Sequence, residues 1–174
     1  MKNRGTVNPT WFIAVFLAVL LWNPMIVFSS EKRIVGLIEN VIIHPANLAF
    51  TAKMDTGARH SSLDVSHIVE FERGGVPWVR FEVVNNKGQK RTIEAEISRN
   101  ALIKRHKRNS IRRYVIKLGI CLGNVYREVE VNLTDRTGFN YRMLIGRSFM
   151  QDAFIVDPSL RFTTQPDCKK ARKD

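Results

Sequence analysis

The sequence predicts a mostly β chain, one domain after an N-terminal hydrophobic segment, and three observations carry that prediction. Short runs of alternating apolar and polar residues recur from residue 33 to residue 156, divided by turn residues. No internal repeat and no heptad pattern appears. The chain has 174 residues, 44% hydrophobic and 25% charged, which suits one domain, two at most, and rules out a disordered or fibrous chain.

The elements follow in order. Arg33 to Ile43 is rich in Val and Ile, and Leu48 to Met54 alternates; His44-Pro45-Ala46-Asn47 supplies the turn between them. Trp78 to Val84 alternates, Asn85-Asn86-Lys87-Gly88 turns, and Thr92 to Ile97 returns as the second arm of a hairpin. Tyr114 to Leu118 and Val125 to Leu133 form another expected pair around Gly119 to Asn124. Met143 to Ile145 and Phe154 to Val156 close the domain before Pro158, with a short helix expected over Arg147 to Asp152. Residues 163–174 are polar and basic, and are expected to fray.

Residues 1–30 stand apart. Lys2 and Arg4 precede an apolar run from Trp11 to Phe28, broken only by Asn23 and Pro24. A positive leader before such a run reads as an export signal. At about 1.5 Å per residue, residues 11–28 span roughly 27 Å, just short of the ~30 Å hydrocarbon core. Cleaved signal peptide and retained signal anchor therefore both stay open. The cleavage candidate is Val27-Phe28-Ser29 or the neighbouring Ser30, and no Cys follows that would take a lipid. The expected location is the bacterial periplasm, with residues 11–28 able to anchor the domain in the inner membrane. The formal charge is 28 − 16 = +12; two cations lie in the leader and all acids follow it, so the exported part carries 26 − 16 = +10.

Several chemistries are excluded or weakened by composition. Two cysteines, Cys121 and Cys168, cannot build a four-thiolate metal site, and whether they pair is left open. His44, His60, His67 and His106 are scattered rather than at ligand spacing. No phosphate-cradling G-x-x-x-x-G-K-[ST] and no G-x-S-x-G is present; Ser61 and Ser62 beside His60 are only sequence neighbours. Asn132-Leu133-Thr134 fits a glycosylation acceptor but lies inside an expected strand. Three Tyr and three Trp, with the basic runs in expected loops, speak against a stacking platform, so no nucleic-acid partner is expected.

One stretch carries chemistry: Lys53-Met54-Asp55-Thr56-Gly57-Ala58-Arg59-His60-Ser61-Ser62-Leu63. A strand runs into Asp55, and Gly57 permits a tight turn with exposed backbone. A carboxylate at a strand end, beside a hydroxyl and free turn amides, is placed for catalysis rather than for a core. About ninety residues later, Met143-Leu144-Ile145-Gly146-Arg147 puts apolar residues and then Gly at another strand end. The pair is more specific than either part.

On these residues the chain resembles the retropepsin-like aspartic peptidases. The runs Lys53 to Leu63, Asn132 to Arg136 and Tyr141 to Arg147, continued by Phe154 to Pro158, are similar to the bacterial family labelled ATP-dependent zinc protease. The likeness covers nearly all of residues 33–160. It implies a retropepsin-like closed barrel, an acid-protease half, over residues 31–162. The residues themselves offer no recognisable ATP or zinc site, so no cofactor is expected. Three departures stand out. Arg59 replaces the acidic residue that pairs with the second-motif Arg in the viral enzymes, which leaves Arg147 to find another partner. His60 and Arg142 stand where the bacterial family leads one to expect Thr and Pro.

The resemblance implies a mechanism. Two carboxylates about 3 Å apart cannot both ionise, so they share a proton, one activating water and the other polarising the carbonyl. The chain has one D-T-G, so the second carboxylate comes from a second copy in a homodimer, Asp55 against Asp55. Thr56 would brace the two loops, Gly57 and Ala58 would offer backbone groups to a peptide or protein substrate, and Leu144 and Ile145 would floor the turn, with Gly146 and Arg147 in support. Asn85, Asn86, Lys87 and Gly88 are the first candidates for a flap; the turn at Arg73-Gly74-Gly75 is the rival. Lys104-Arg105-His106-Lys107-Arg108 with Arg112-Arg113 reads first as a solvated loop, and otherwise as attraction for anionic peptide or acidic lipid. A non-catalytic peptidase-like binding module and a zinc-dependent hydrolase are the alternatives.

Overall fold

A computed structural model of the chain describes residues 31–105 and 108–168, the side chains of 103–110 excepted. The expected signal or anchor lies outside the described residues, as do part of the basic stretch and residues 169–174. Among the described residues no helix is long and apolar enough to cross a membrane.

The elements are β1 (Arg33–His44), β2 (Leu48–Met54), β3 (Ser61–Asp64), β4 (Ser66–Arg73), β5 (Val76–Val84), β6 (Lys90–Arg105), β7 (Arg108–Leu122), β8 (Val125–Thr134), β9 (Met143–Ile145), a single helical turn α1 (Arg147–Met150) and β10 (Phe154–Arg161). Six strands, in the order β1-β2-β9-β3-β8-β7, close on themselves. The seam is short: β1 meets β7 through Ile42↔Cys121, Ile43↔Ile120 and His44↔Gly119. Ahead of that seam the same edge of β1 carries β10 in parallel, from Arg33↔Phe154 to Val35↔Val156. Beyond β7 the sheet continues outward as β6, β5 and β4.

Apolar alternation drives this closure. Along β2, Leu48, Phe50, Ala52 and Met54 are buried while Ala49 and Lys53 are exposed. Phe50, Leu63, Leu118, Ile120, Leu133, Met143 and Phe149 meet in one core. Each such side chain contributes roughly 1.5–3 kcal/mol on burial, and a closed barrel leaves its members no free edge.

The turns at 44–47 and 85–88 stand where the sequence puts them. Two strands were not foreseen. β3 is buried at all four positions although three are polar, and β4 is largely exposed, so neither shows a period-two pattern. The basic stretch is not a free loop: Lys104 and Arg105 end β6, and Arg108, Arg112 and Arg113 belong to β7. The helix stops at Met150, since Gln151 has left helical geometry and Asp152 takes φ 63°.

The tail is also corrected over Thr163–Cys168. Glu39, fully buried, accepts hydrogen bonds from Gly36 N (2.7 Å), Thr163 N (2.9 Å), Thr163 Oγ1 (2.6 Å) and Thr164 N (3.3 Å). Farther on, Asp167 N donates to Gly123 O at 2.6 Å, and Cys168 is bonded to Cys121 in a disulfide. This segment is held at both ends rather than frayed.

Candidate active site

β2 delivers Asp55 to the rim of the barrel. The Asp55 amide donates to Ile145 O at 2.9 Å, which ties the start of the turn to β9. The carboxylate then folds back over its own turn: Oδ1 accepts from Gly57 N at 3.0 Å and from Ala58 N at 3.2 Å. Two amides thus fix one oxygen and leave Oδ2 without a hydrogen bond among the described residues. Asp55 is half-buried, and Thr56 and Gly57 beside it are exposed.

β9 threads between two strands of the barrel. It runs parallel to β2 (Ala52↔Met143, Lys53↔Leu144, Met54↔Ile145) and antiparallel to β3 (Ser62↔Leu144, Leu63↔Met143). Met143 and Ile145 are fully buried while Leu144 between them is half-buried, so it is Met143 rather than Leu144 that shares the core with Ile145. Gly146 is there because nothing larger fits. A Cβ would lie 2.5 Å from the His60 carbonyl carbon and 2.8 Å from Arg59 O, closer than any real Cβ approaches backbone.

That close approach allows the two loops to be laced together. Gly146 N donates to the buried Ser61 Oγ at 3.1 Å, Arg147 N to Ala58 O at 2.9 Å and Ser148 N to Arg59 O at 2.9 Å. The Arg147 guanidinium completes the set, donating from Nη1 to Thr56 O at 2.8 Å. Arg147, which has no acid at position 59 to pair with, holds the turn by one of its carbonyls.

Two charged clusters lie at opposite ends of β3, one beside the turn and one at the far end of β9. Beside the turn, Arg99 of β6 grips Glu130 of β8, with Nε 3.1 Å from both carboxylate oxygens and Nη2 2.6 Å from Oε2. His60 Nδ1 stands 3.4 Å from the same Oε2 but forms no hydrogen bond with it. The Arg99 hydrogen bond holds the Glu130 carboxyl below its ordinary range, and burial pushes the His60 imidazole down. At the far end of β9 from the turn, Asp64 of β3 accepts from Arg136 N and from Arg142 Nη1, both at 2.7 Å. Arg142 therefore serves as the partner of a buried carboxylate.

The structure brings Asp55, Thr56, Gly57, Ala58, Leu144, Ile145, Gly146 and Arg147 together. It separates the two flap candidates. The turn at 85–88 is pinned to the start of β2: Asn85, 2% exposed, donates to Ala49 O at 2.9 Å, and Asn86 Oδ1 accepts from Thr51 N at 3.0 Å. The tip at Gly74-Gly75 is exposed, with nothing within 4 Å of where either Cβ would stand. The sequence assigns no site role to Ser61, Asp64 or Arg136, although Ser61 and Arg136 stand inside family-like runs. Among the described residues no group of three His, Cys, Asp or Glu side chains converges as a metal site would require.

The comparisons with known proteins bear on this geometry. Residues 34–167 match the family model RimB-like, described as retropepsin-like aspartic endopeptidase RimB. A solved structure from Legionella pneumophila, the protein Lpg0085 described as of unknown function, is 38% identical with TM-score 0.68, over 78% of this chain and all of that one. Among curated relatives, a probable alpha-L-glutamate ligase of Shewanella pealeana is 40% identical over 138 residues, 77% of this chain and 30% of that protein. Another of the same name, from Desulfotalea psychrophila, is 34% identical over 116 residues, 65% of this chain and 25% of that protein. The chain thus spans less than a third of the length of the curated relatives it matches.

Proposed function

Since the chain belongs to the RimB-like family, that of the retropepsin-like aspartic endopeptidase RimB, we propose that it is an exported endopeptidase. In this reading water is activated by Asp55 of two chains in a homodimer, in the periplasm. One observation carries it: the Asp55 carboxylate is aimed by two turn amides while its second oxygen stays open. A carboxylate oriented in this way is prepared to share a proton with a twin and to accept a proton from water.

The roles of the other residues follow. The ionised Asp55 accepts a water proton as the oxygen attacks the scissile carbonyl; the protonated Asp55 of the partner subunit donates to the developing oxyanion. Thr56 braces one turn against the other across the two-fold axis. Gly57 and Ala58 present backbone to the substrate, while Leu144, Ile145, Gly146 and Arg147 keep the turn from shifting. The exposed tip at Gly74-Gly75, at the end of the β4–β5 hairpin, is the flap in this reading. The curated relatives carry the name of a glutamate ligase, and the exported part carries 26 − 16 = +10. Both favour a glutamate-containing, anionic peptide as substrate.

The test is Asp55→Asn, which keeps size and shape but cannot form the shared-proton pair. The variant should fold and still bind peptide while turnover falls by several orders of magnitude. Activity per chain of the parent should fall on dilution, as dimers separate. Peptide binding without turnover in the parent would make the chain a binding module. Turnover by Asp55→Asn at the parent rate would remove Asp55 from the mechanism.

A further inference from the structure

The connection between β8 and β9 carries a guanidinium with no ion-pair partner among the described residues. Arg136 donates from its backbone to Asp64 Oδ1, while Asp64 Oδ2 is taken by Arg142. Among the described residues the Arg136 side chain donates to neutral oxygens: Nε to Tyr141 O at 2.8 Å, and Nη1 to Ser62 Oγ at 3.5 Å. Its Cζ lies 4.8 Å from the centre of the Phe139 ring, and Phe139 is 64% exposed. No carboxylate among the described residues lies within ion-pair distance of this guanidinium.

The surroundings make that unusual. Arg136 is half-buried, and burial lowers its basicity; Asp64 opposes this, Arg113 of β7 adds to it, and Asp55 opposes it. The Nη1 contact puts this guanidinium at Ser62 of β3, opposite Leu144, which pairs with Lys53 two residues before Asp55, and the group keeps spare donors. A guanidinium has five N–H bonds; two are used, so 5 − 2 = 3 remain. A desolvated cation with unused donors and an exposed aromatic wall suits a carboxylate held in a forked, charge-assisted contact.

We propose that Arg136 determines specificity: its guanidinium takes the carboxylate of an acidic substrate side chain next to the bond presented to Asp55. This rests on the peptidase reading for its geometry, and adds which residue recognises the acid. Phe139 keeps the guanidinium plane in place, and Tyr141 O sets its direction. Asp64 and Arg142 hold the connection itself.

The experiment compares a fluorescein-labelled Glu-only peptide with its Gln-only isostere. Binding is measured on full chains carrying Asp55→Asn, so that no turnover intervenes, and cleavage is measured on chains with Asp55 intact. The Asp55→Asn protein should bind the Glu peptide at least tenfold more tightly than the Gln peptide. Adding Arg136→Gln should erase that preference. Arg136→Lys, which keeps the charge but not the fork, should retain part of it. Arg91→Gln, which removes an exposed cation from the β5–β6 hairpin, should leave the preference intact and so exclude net charge as its source.

A preference that survives Arg136→Gln overturns the proposal. So does the absence of any preference in the Asp55→Asn protein, whether or not the Arg136 variants fold. Failure of the peptidase reading looks different: the chain with intact Asp55 would bind the Glu peptide through Arg136 and cleave neither.

Discussion

His60 shows how one side chain beside the turn sets a pH window for the whole site. It follows Ala58 and Arg59 in the Asp55 loop, and its carbonyl lies against Gly146. The groups that face it are Glu130 of β8, Arg99 of β6 and Arg59 of its own loop; burial comes first and lowers the imidazole, Glu130 works against it, and the two cations add to it. The folded group therefore takes a proton at lower pH than the unfolded one. Below about 6.5, the ordinary histidine value, the unfolded chain gains a proton that the folded chain refuses, so stability falls as pH drops. Glu130 acts lower. Its carboxyl, held down by Arg99, contributes fully above about 4.3, and that contribution fades as pH falls through its lowered folded value. Melting temperature followed from pH 8 downward should thus begin to decline near pH 6.5. His60→Gln should remove this upper decline and keep the one below about 4.3. An unchanged curve in the variant would place the upper decline on some other group.

At the scale of elements, what was legible in the sequence is what local pattern determines. β2 could be read because Leu48, Phe50, Ala52 and Met54 alternate, and the 85–88 turn because Asn and Gly mark it. β3 could not be read. Ser61, Ser62 and Asp64 are buried polar residues whose partners, Gly146, Arg136 and Arg142, lie more than seventy residues away. No local rule anticipates hydrogen bonds formed only after the barrel closes. The same limit bears on the 85–88 turn. A Gly-containing hairpin turn signals exposure, but Asn85 uses its amide to tie this one down. Its Nδ2 donates to Ala49 O and Gln89 Oε1, and its Oδ1 accepts from Lys87 N and Gln89 N. Asn85→Ala should accordingly cost about 2–3 kcal/mol, from lost hydrogen bonds and newly unpaired buried groups. Denaturant unfolding checks this. Wild-type stability with lost peptide turnover would instead return the 85–88 turn to a flap role.

At the scale of the molecule, the barrel depends on how its seam is kept shut. Three residue pairs join β1 to β7, fewer than the eight that join β7 to β8. The segment 162–168 spans the same place. Phe162 N donates to Ile38 O at 2.8 Å on β1, Glu39 holds Thr163 and Thr164, and Cys168 is bonded to Cys121 on β7. The disulfide thus fastens across the seam a strap whose other end sits on the strand that must close it. Its half-cystines lie 47 residues apart. In the chain-entropy account a loop of that length stabilises the folded state by about 4 kcal/mol. Typical domains have only ~5–15 kcal/mol in all. Reduction should therefore lower the denaturant midpoint substantially, and Cys168→Ser should reproduce the effect in oxidising buffer. The variant should then be indifferent to reductant. The proposed periplasmic location fits this chemistry, because a reducing compartment would leave the seam to three pairs and to the hydrogen bonds of the strap at Ile38, Glu39 and Gly123. If reductant shifts the midpoint of Cys168→Ser as much as that of the parent, the staple is not what holds the barrel closed.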